Sequence, residues 1–365
     1  MNILILGEYS GFAKHLKIGF KKLGHNVTVV MKPDSFKKFK GDEDDVLYGY
    51  NLSFRGKPIR GSALLLTPFR ALSLRQKLEK RYKTLTPDLI IVINYEFIST
   101  SLFFVGPTLR FLERLVNRGA KLIMSVCGLD PAYYHLYPDY YKIAGVKAMG
   151  DDDRYSYLIT HADAIIPTGY SYYSAISKYS NDKGFGKAQI KNAIPLPIKI
   201  EDNYNYLTCE GRKIVIFHGI IRPEAKGTPF IKAAMERLQE EMPDKVECVC
   251  RGNMPYDEYV KLFDGLDILI DQTYGNAWGM NAEIGASKAK CVLTGCGCEN
   301  EINMGIQRIP FVQIGPDSDQ IYQTLRDLVL SPYRIDEIKV ASRKFAEEYC
   351  ECSLIAKKYI EAVGL

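Results

Sequence analysis

The stretch MNILILGEYSG at residues 1–11 decides the first half of the fold, and KIVIFHG at residues 213–219 repeats its pattern in the second half. Each is a short apolar run that stops at a glycine and gives way to a helix-like segment. An apolar strand, a glycine-bearing turn and a helix form the start of a βαβ unit. Two such starts about half a chain apart predict two doubly wound lobes that face each other across a cleft, where a nucleotide-linked ligand fits.

Apolar runs and helical patterns alternate along the chain, which favours an α/β fold with parallel sheets covered on both faces. Two prolines in residues 192–197 stiffen the crossing between the lobes. We expect the first lobe over residues 1–198, the second over 199–341 and a terminal helix within 342–365. Predicted strands lie at 1–6, 27–30, 89–94, 121–126, 164–167, 214–217, 247–251, 268–270, 291–293 and 310–313. Predicted helices lie at 12–23, 108–118, 228–239, 256–263, 282–287, 320–330 and 342–363.

Composition is that of an ordinary globular protein, with 47% hydrophobic and 25% charged residues among 365. No stretch approaches the roughly 20 apolar residues that span a bilayer. Residues 1–6 have the pattern of a core strand and not of a signal peptide, so we expect a cytoplasmic location. Six of the nine cysteines form three Cys-x-Cys pairs. Zinc sites usually have two residues between ligands, so we expect no metal.

Positive charge is concentrated in residues 55–83, where nine Lys and Arg residues accompany one acid, Glu79. Leucines and a phenylalanine alternate with these cations, and a basic segment of this kind can lie on an anionic membrane surface. The alternative is a solvated helix face beside an ordinary loop. The acidic second half offers no continuous basic track, so we expect no nucleic acid partner. The membrane-surface candidates are Arg70, Arg75, Lys80 and Arg81.

The loop HGIIRPEAKGT at residues 218–228 carries two cations four residues apart, Arg222 and Lys226. Both can converge on a diphosphate, because Gly219 lets the backbone approach and the next helix adds its positive end. Fixed cations beside a leaving phosphate favour the transition state of sugar transfer. The alternative is a pair of ordinary surface charges in a turn. Arg251, at the end of a predicted strand, is a further candidate for binding the nucleotide-linked ligand.

The segment DILIDQTYGNAWGMNAEIGA at residues 267–286 runs from a strand through a glycine-bearing loop into a helix. Free backbone N–H groups at such a helix start bind an oxyanion or sugar hydroxyls, which selects Gly279, Met280 and Asn281. Glu283 can accept two hydrogen bonds from a ribose diol. Its alternative role is that of an acid capping the first helical turn.

Taken together, these two segments resemble the donor-binding half of the family-4 retaining glycosyltransferases of GT-B fold (glycosyl transferases group 1). The resemblance implies that Arg222 and Lys226 bind the donor diphosphate, with no metal, and that the leaving phosphate helps to accept the acceptor's proton. It implies that Glu283 is the second of two glutamates that bind sugar and ribose. The first would fall at Gly275, which has no side chain.

The resemblance extends more weakly to the first lobe. Its first glycine loop, here at residues 7–11, approaches the donor phosphates in the family, which makes Gly11 a candidate. The family's terminal helix crosses back onto the first lobe, and the helix predicted at 342–363 is expected to do so. Asp130 and His135 follow a predicted strand, and either can contact an acceptor hydroxyl. The nearby tyrosines can stack on sugar rings, or they and His135 can simply be packing residues.

The predicted function is that of a cytoplasmic, retaining glycosyltransferase, peripheral on the inner face of the membrane. It takes a UDP or GDP sugar and a saccharide or lipid-linked saccharide acceptor in surface polysaccharide assembly. Two alternatives stay open: a catalytically silent GT-B subunit that stabilises a partner transferase, suggested by Gly275, and a GT-B sugar-nucleotide epimerase, which would need a cluster of acids and histidines.

Overall fold

The structure is a computed structural model. It describes residues 1–31, 45–47, 53–54, 57–58, 62–100, 106–147, 149–186, 189–220, 222–252 and 262–365.

Thirteen short strands are present in the described residues, and most of them are apolar runs that are too short for helices. They are β1 (Asn2–Leu6), β2 (Asn26–Met31), β3 (Val46–Leu47), β4 (Ser53–Phe54), β5 (Lys57–Pro58), β6 (Leu89–Val92), β7 (Lys121–Val126), β8 (Ala164–Pro167), β9 (Ile214–Ile220), β10 (Val246–Gly252), β11 (Ile268–Ile270), β12 (Cys291–Thr294) and β13 (Val312–Gln313).

The helices lie between these strands and after the last of them. They are α1 (Phe12–Lys22), α2 (Ser62–Arg81), α3 (Leu109–Asn117), α4 (Pro131–Leu136), α5 (Pro138–Ile143), α6 (Asp153–His161), α7 (Tyr170–Asp182), α8 (Pro223–Lys226), α9 (Thr228–Glu241), α10 (Met280–Ser287), α11 (Glu299–Met304), α12 (Ser318–Leu330), α13 (Pro332–Phe345) and α14 (Cys352–Glu361).

Two parallel sheets organise the chain. The first has the order β3-β2-β1-β6-β7-β8 and the second the order β10-β9-β11-β12-β13. In each, the opening strand of its lobe lies inside the sheet and the chain winds outward in both directions, which is a doubly wound topology. The predicted α/β fold with two doubly wound lobes is confirmed. The predicted helix at 256–263 falls mostly outside the described residues.

The first sheet is buried on both faces, since successive side chains of a strand point to opposite sides. Ile3 and Ile5 belong to one apolar cluster and Leu4 and Leu6 to another. The first cluster includes residues of α1 and α14, and the second includes residues of α2 and α3. The terminal helix and the helix of the basic segment therefore cover opposite faces of the same sheet.

The C-terminal segment returns to the first lobe, as expected, but not as one helix. The predicted helix at 342–363 is interrupted by a π-helical turn (Ala346–Cys350) and by Glu351, which is extended. The physical reason is competition from the interlobe crossing: Ile198 donates its N–H to the Cys350 carbonyl (2.7 Å) and accepts from the Cys352 N–H (2.8 Å). The chain resumes as α14, which Glu351 caps by accepting from the Ser353 amide.

Contact between α14 and α1 is close because α1 presents a glycine. A Cβ at Gly19 would lie 2.0 Å from the Cys352 carbonyl oxygen, so no larger residue fits without moving the backbone. Lys22 forms an ion pair with Glu351 at 2.7 Å beside this contact. Deeper in the lobe, the Tyr359 hydroxyl lies 2.8 Å from the Ser125 hydroxyl, and both residues are buried. The last helix is therefore part of the core of the first lobe.

Candidate functional site

Arg222 lies at the carboxyl end of the second sheet, on the turn between β9 and α9. Its side chain is exposed and has no hydrogen bond or ion pair to the residues that the structure describes, whereas its backbone carbonyl accepts from the Lys226 amide (3.0 Å). Burial raises the pKa of the Tyr140 hydroxyl in the first lobe, and the positive charge of Arg222 opposes that rise. The guanidinium is therefore close enough to the first lobe for its charge to act on the Tyr140 hydroxyl. It is also available to bind an anion in the cleft.

Lys226, four residues on, is in a different state. Its side chain is 11% exposed, and its ammonium donates to the Asp271 carboxylate at 2.6 Å and to the Asp271 carbonyl at 3.3 Å. The two predicted cations of the loop are thus not equivalent. Arg222 faces outward with its charge unbalanced, whereas the charge of Lys226 is balanced by a buried carboxylate.

Asp271 organises this corner of the second lobe. Besides Lys226, its carboxylate accepts from the Gly279 amide (3.2 Å) and from the Asn281 side chain (3.3 Å). Burial alone would raise the pKa of Asp271, but Lys226 and these hydrogen bonds outweigh it and the pKa is lowered. Three predicted site residues therefore meet on one carboxylate that the sequence reasoning left without a role. The available signal was its position, an acid directly after the buried strand β11.

Glu283, the expected ribose ligand, is placed between α10 and the crossing that joins the lobes. It is fully buried, and one oxygen accepts from the Trp278 indole (2.8 Å) and from the Leu196 amide in the interlobe crossing (2.9 Å). Its other oxygen, Oε2, is buried without a partner in the described residues. Burial raises the pKa of Glu283 to about 8 against these two hydrogen bonds. Its carboxyl joins α10 to the crossing between the lobes.

Gly275 is held against the first lobe. Its φ of +83° is a conformation that favours glycine, and a Cβ there would lie 3.3 Å from the Tyr133 hydroxyl. The next residue, Asn276, donates its amide to the Ser171 hydroxyl at 2.9 Å and receives the Asn300 side chain at 2.6 Å. A glutamate at position 275 would be strained in this backbone conformation.

The predicted tyrosine cluster spans the cleft. Tyr133 and Tyr141 are buried and belong to the packing of α4 and α5, as the simpler interpretation held. Tyr140 is half-buried; its hydroxyl donates to the Ala225 carbonyl (3.2 Å) in the turn that carries Arg222. Its ring also lies 6.1 Å from that of Tyr274. Aromatic rings therefore form the wall of the first lobe that faces the cationic turn.

Asp130 lies at the carboxyl end of the first sheet, where it caps α4 by accepting from the Tyr133 amide at 2.8 Å. Burial raises its pKa to about 7, and the Tyr133 hydrogen bond opposes that rise. Asp130 lines a small pocket with Tyr9, Asn94 and Gly128. A carboxyl group that titrates near neutral pH beside a pocket can exchange a proton with a bound hydroxyl.

His135 is not brought to this pocket. Its Nε2 lies 2.7 Å from the Asp182 carboxylate, and its ring meets the Tyr179 ring edge-on at 5.6 Å. Asp182 ends α7, roughly 18 Å along that helix from Tyr170, where the helix meets the second lobe. This position fits the surface interpretation of His135.

In the first glycine loop, a carboxylate of the loop itself binds the backbone amides at the start of α1. Glu8 accepts from the Gly11 amide (2.7 Å) and from the Lys14 amide (3.1 Å), so its carboxylate covers the start of α1. Gly11 is therefore engaged by a neighbouring side chain.

The remaining candidates differ in exposure. Gly219 is buried inside β9, directly opposite Arg251 of β10 in the parallel register, and Arg251 is exposed. Met280 is 5% exposed and packs in the interlobe core. Across the described ranges, no group of three or more His, Cys, Asp and Glu side chains is placed to hold a metal ion. No described helix has both the length and the apolar character needed to cross a bilayer.

Comparisons with known proteins give structural likeness only. No family model matches the chain, and no curated protein matches it. Among solved structures, sucrose-phosphate synthase from Thermosynechococcus elongatus is 12% identical, with a TM-score of 0.61 and coverage of 99% of this chain and 97% of that one. WaaG, a glycosyltransferase involved in lipopolysaccharide biosynthesis, is 12% identical, with a TM-score of 0.58 over 100% of both chains.

HepE from Anabaena, in complex with UDP, is also 12% identical, with a TM-score of 0.58 over 100% of this chain and 99% of that one. Likeness at this level of identity concerns the fold. Together with the two parallel sheets and the returning helix, it confirms the GT-B fold.

Proposed function

We propose that this protein is a retaining, metal-independent glycosyltransferase that uses a nucleotide-diphosphate sugar. The observation that carries the proposal is the asymmetry of the cationic turn. Arg222 is exposed at the carboxyl end of the second sheet with no anionic partner in the described residues, and it faces the aromatic wall of the other lobe. Doubly wound folds bind ligands at this edge. An unbalanced guanidinium at such a position suits a diphosphate.

In this proposal Arg222 neutralises the charge that develops on the leaving diphosphate as the sugar–phosphate bond breaks. Lys226 is a positioning residue, since it acts on Asp271, and Asp271 holds the start of α10 through Gly279 and Asn281. Arg251, exposed on the neighbouring strand, extends the positive charge of the same edge. The donor is a UDP or GDP sugar, and HepE with bound UDP favours uridine.

The acceptor is proposed to be a saccharide or lipid-linked saccharide of surface polysaccharide assembly, a role that the name of WaaG supports. It would lie against the half-buried tyrosines of α4 and α5, whose rings suit the apolar faces of sugars. Asp130, with its raised pKa, is the candidate for exchanging a proton with the acceptor. The protein would work in the cytoplasm.

A panel of UDP-, GDP- and ADP-sugars tests donor binding by thermal shift. A ligand at 100 times its Kd adds about 2.7 kcal/mol to the free energy of unfolding, so the correct nucleotide raises the Tm. Arg222→Ala should lower the affinity of the protein for that nucleotide by about a hundredfold. Arg237→Ala is the matched control, because Arg237 is exposed on α9 and pairs with Asp319. Equal affinity in wild type and Arg222→Ala would contradict the proposal.

Two measurements distinguish a transferase from a silent subunit and from an epimerase. One is the release of nucleoside diphosphate, and the other is the anomeric configuration of the product, determined by NMR. Transfer with retention supports the proposal. Tight donor binding without turnover would indicate the silent subunit, which is favoured by Gly275 and by the inward-facing Glu283. A changed sugar nucleotide with no diphosphate release would indicate an epimerase.

A further inference from the structure

Helix α2 carries exposed apolar side chains on its outer side. Its inner side is buried through Ala71, Leu74 and Leu78. On the outer side, Phe69 is 73% exposed and Leu72 is 51% exposed, although both are large apolar residues. Because they are three residues apart, the two side chains are neighbours on the helix surface.

Exposed cations follow this apolar pair along the helix. Lys77, Lys80, Arg81 and Lys83 are exposed toward the end of α2. The adjoining helix α3, which the sequence reasoning did not connect with the basic segment, adds the exposed Arg110 and Arg114. We call Phe69, Leu72 and these six cations the α2–α3 face.

Two acidic residues of these helices, Glu79 of α2 and Glu113 of α3, offset part of this charge. The one acid of α2, Glu79, is paired with Arg114 at 2.6 Å. The two helices are locked together at one end, where Arg118 donates to the carbonyls of Tyr82 (2.9 Å) and Thr84 (3.1 Å). The α2–α3 face is therefore a fixed surface and not two independent charged helices.

One of the predicted membrane candidates, Arg75, is engaged with the first lobe itself. Arg75 is partly buried and donates to the Ser99 hydroxyl (2.7 Å) and the Gly106 carbonyl (3.4 Å), so it holds α2 onto the lobe. The side chain of Arg70 is outside the described residues. Lys80 and Arg81 are exposed.

We propose that the α2–α3 face docks on a membrane surface that contains anionic phospholipid. The six cations would lie at the headgroup level, and Phe69 and Leu72 would enter the boundary with the acyl chains. Exposed aromatic and aliphatic side chains among cations suit a membrane better than a nucleic acid, whose backbone offers nothing apolar. The face lies on the opposite side of the first sheet from α14. The proposal does not depend on sugar transfer, because docking is measured without donor or acceptor.

Vesicle flotation of the full chain tests it, with neutral phosphatidylcholine vesicles and with vesicles in which about a third of the lipid is phosphatidylglycerol. We expect binding to the anionic vesicles only. Each cation near such a surface contributes about fivefold in affinity, so Lys80→Glu with Arg81→Glu should lower binding by more than about 25-fold. The matched control reverses two exposed charges elsewhere, Lys245→Glu with Lys357→Glu, and should bind like the wild type.

A second variant separates membrane docking from simple charge attraction. Phe69→Ser with Leu72→Ser leaves every cation in place and should still lower vesicle binding by about tenfold. Raising NaCl from about 0.15 M to about 1 M shortens the Debye length from about 8 Å to about 3 Å. Vesicle binding by the wild type should therefore weaken. Equal vesicle binding by wild type and the Lys80/Arg81 variant would overturn the proposal. So would binding to single-stranded RNA that is stronger than vesicle binding and insensitive to Phe69→Ser.

Discussion

The two glycine turns that open the two lobes have the same sequence pattern and opposite chemistry. In the first, Glu8 places its carboxylate on the amides of Gly11 and Lys14, so the positive start of α1 is satisfied from within. In the second, Arg222 stands exposed and Lys226 is neutralised by Asp271. A strand, a glycine turn and a helix therefore specify where an anion site can form. The charged side chains beside the turn decide whether the site is open.

The largest effect is expected for the internal ion pair of the second turn. Lys226→Met leaves the Asp271 carboxylate buried without its cation, which should lower the free energy of unfolding by about 3–5 kcal/mol. Lys232→Met, on the exposed side of α9, should change it by less than about 0.5 kcal/mol. Chemical denaturation measures both. If Lys226→Met abolished donor binding with stability unchanged, Lys226 would bind the ligand directly and the contrast with Arg222 would be lost.

Glu283 sharpens the comparison, because it is a buried acid with hydrogen bonds to only one of its oxygens. Its pKa is about 8 in the folded protein, above the usual 4.5, so the folded state keeps a proton that the unfolded chain releases. Its favourable contribution is complete below about pH 4.5 and is lost as the pH rises toward 8. The free energy of unfolding of wild type relative to Glu283→Gln should fall by about 1 kcal/mol per pH unit over that interval.

The measurement is a pH series of denaturation curves on wild type and Glu283→Gln, with Glu240→Gln as the control for an exposed acid. Parallel stability profiles for wild type and Glu283→Gln would show that Glu283 is ionised in the folded protein, against the burial that the structure gives it.

The smallest effect is expected in the first turn. Glu8→Gln keeps a side-chain acceptor and removes the charge at the start of α1, so the free energy of unfolding should fall by about 1 kcal/mol. Thermal denaturation at low ionic strength checks this value. The affinity for nucleoside diphosphate should stay as in the wild type. A gain in that affinity would mean that the first turn is also an anion site, opened by removing its internal carboxylate.

Much of the fold was predictable because buried parallel strands are continuous apolar runs, as in β1 and β9, and the position of Arg222 followed from the end of such a run. What the sequence did not reveal depends on partners distant in the chain. The direction of Glu283 is set by the Leu196 amide, and the break before α14 is set by Ile198. Local patterns cannot report these contacts, since each residue alone is compatible with a regular helix.

The return of α14 to the first lobe has a consequence for biosynthesis. Ile355, Ala356 and Tyr359 of α14 pack in the same apolar cluster as β1 and α1, and Gly19 leaves room for the backbone of Cys352. When a ribosome has finished residue 198, residues 199–361 have still to be made. At about 5–20 residues per second this takes roughly ten to thirty seconds. During that time the apolar side chains of α1 and β1 that α14 later covers lack this cover, so we expect a chaperone to bind the nascent first lobe there.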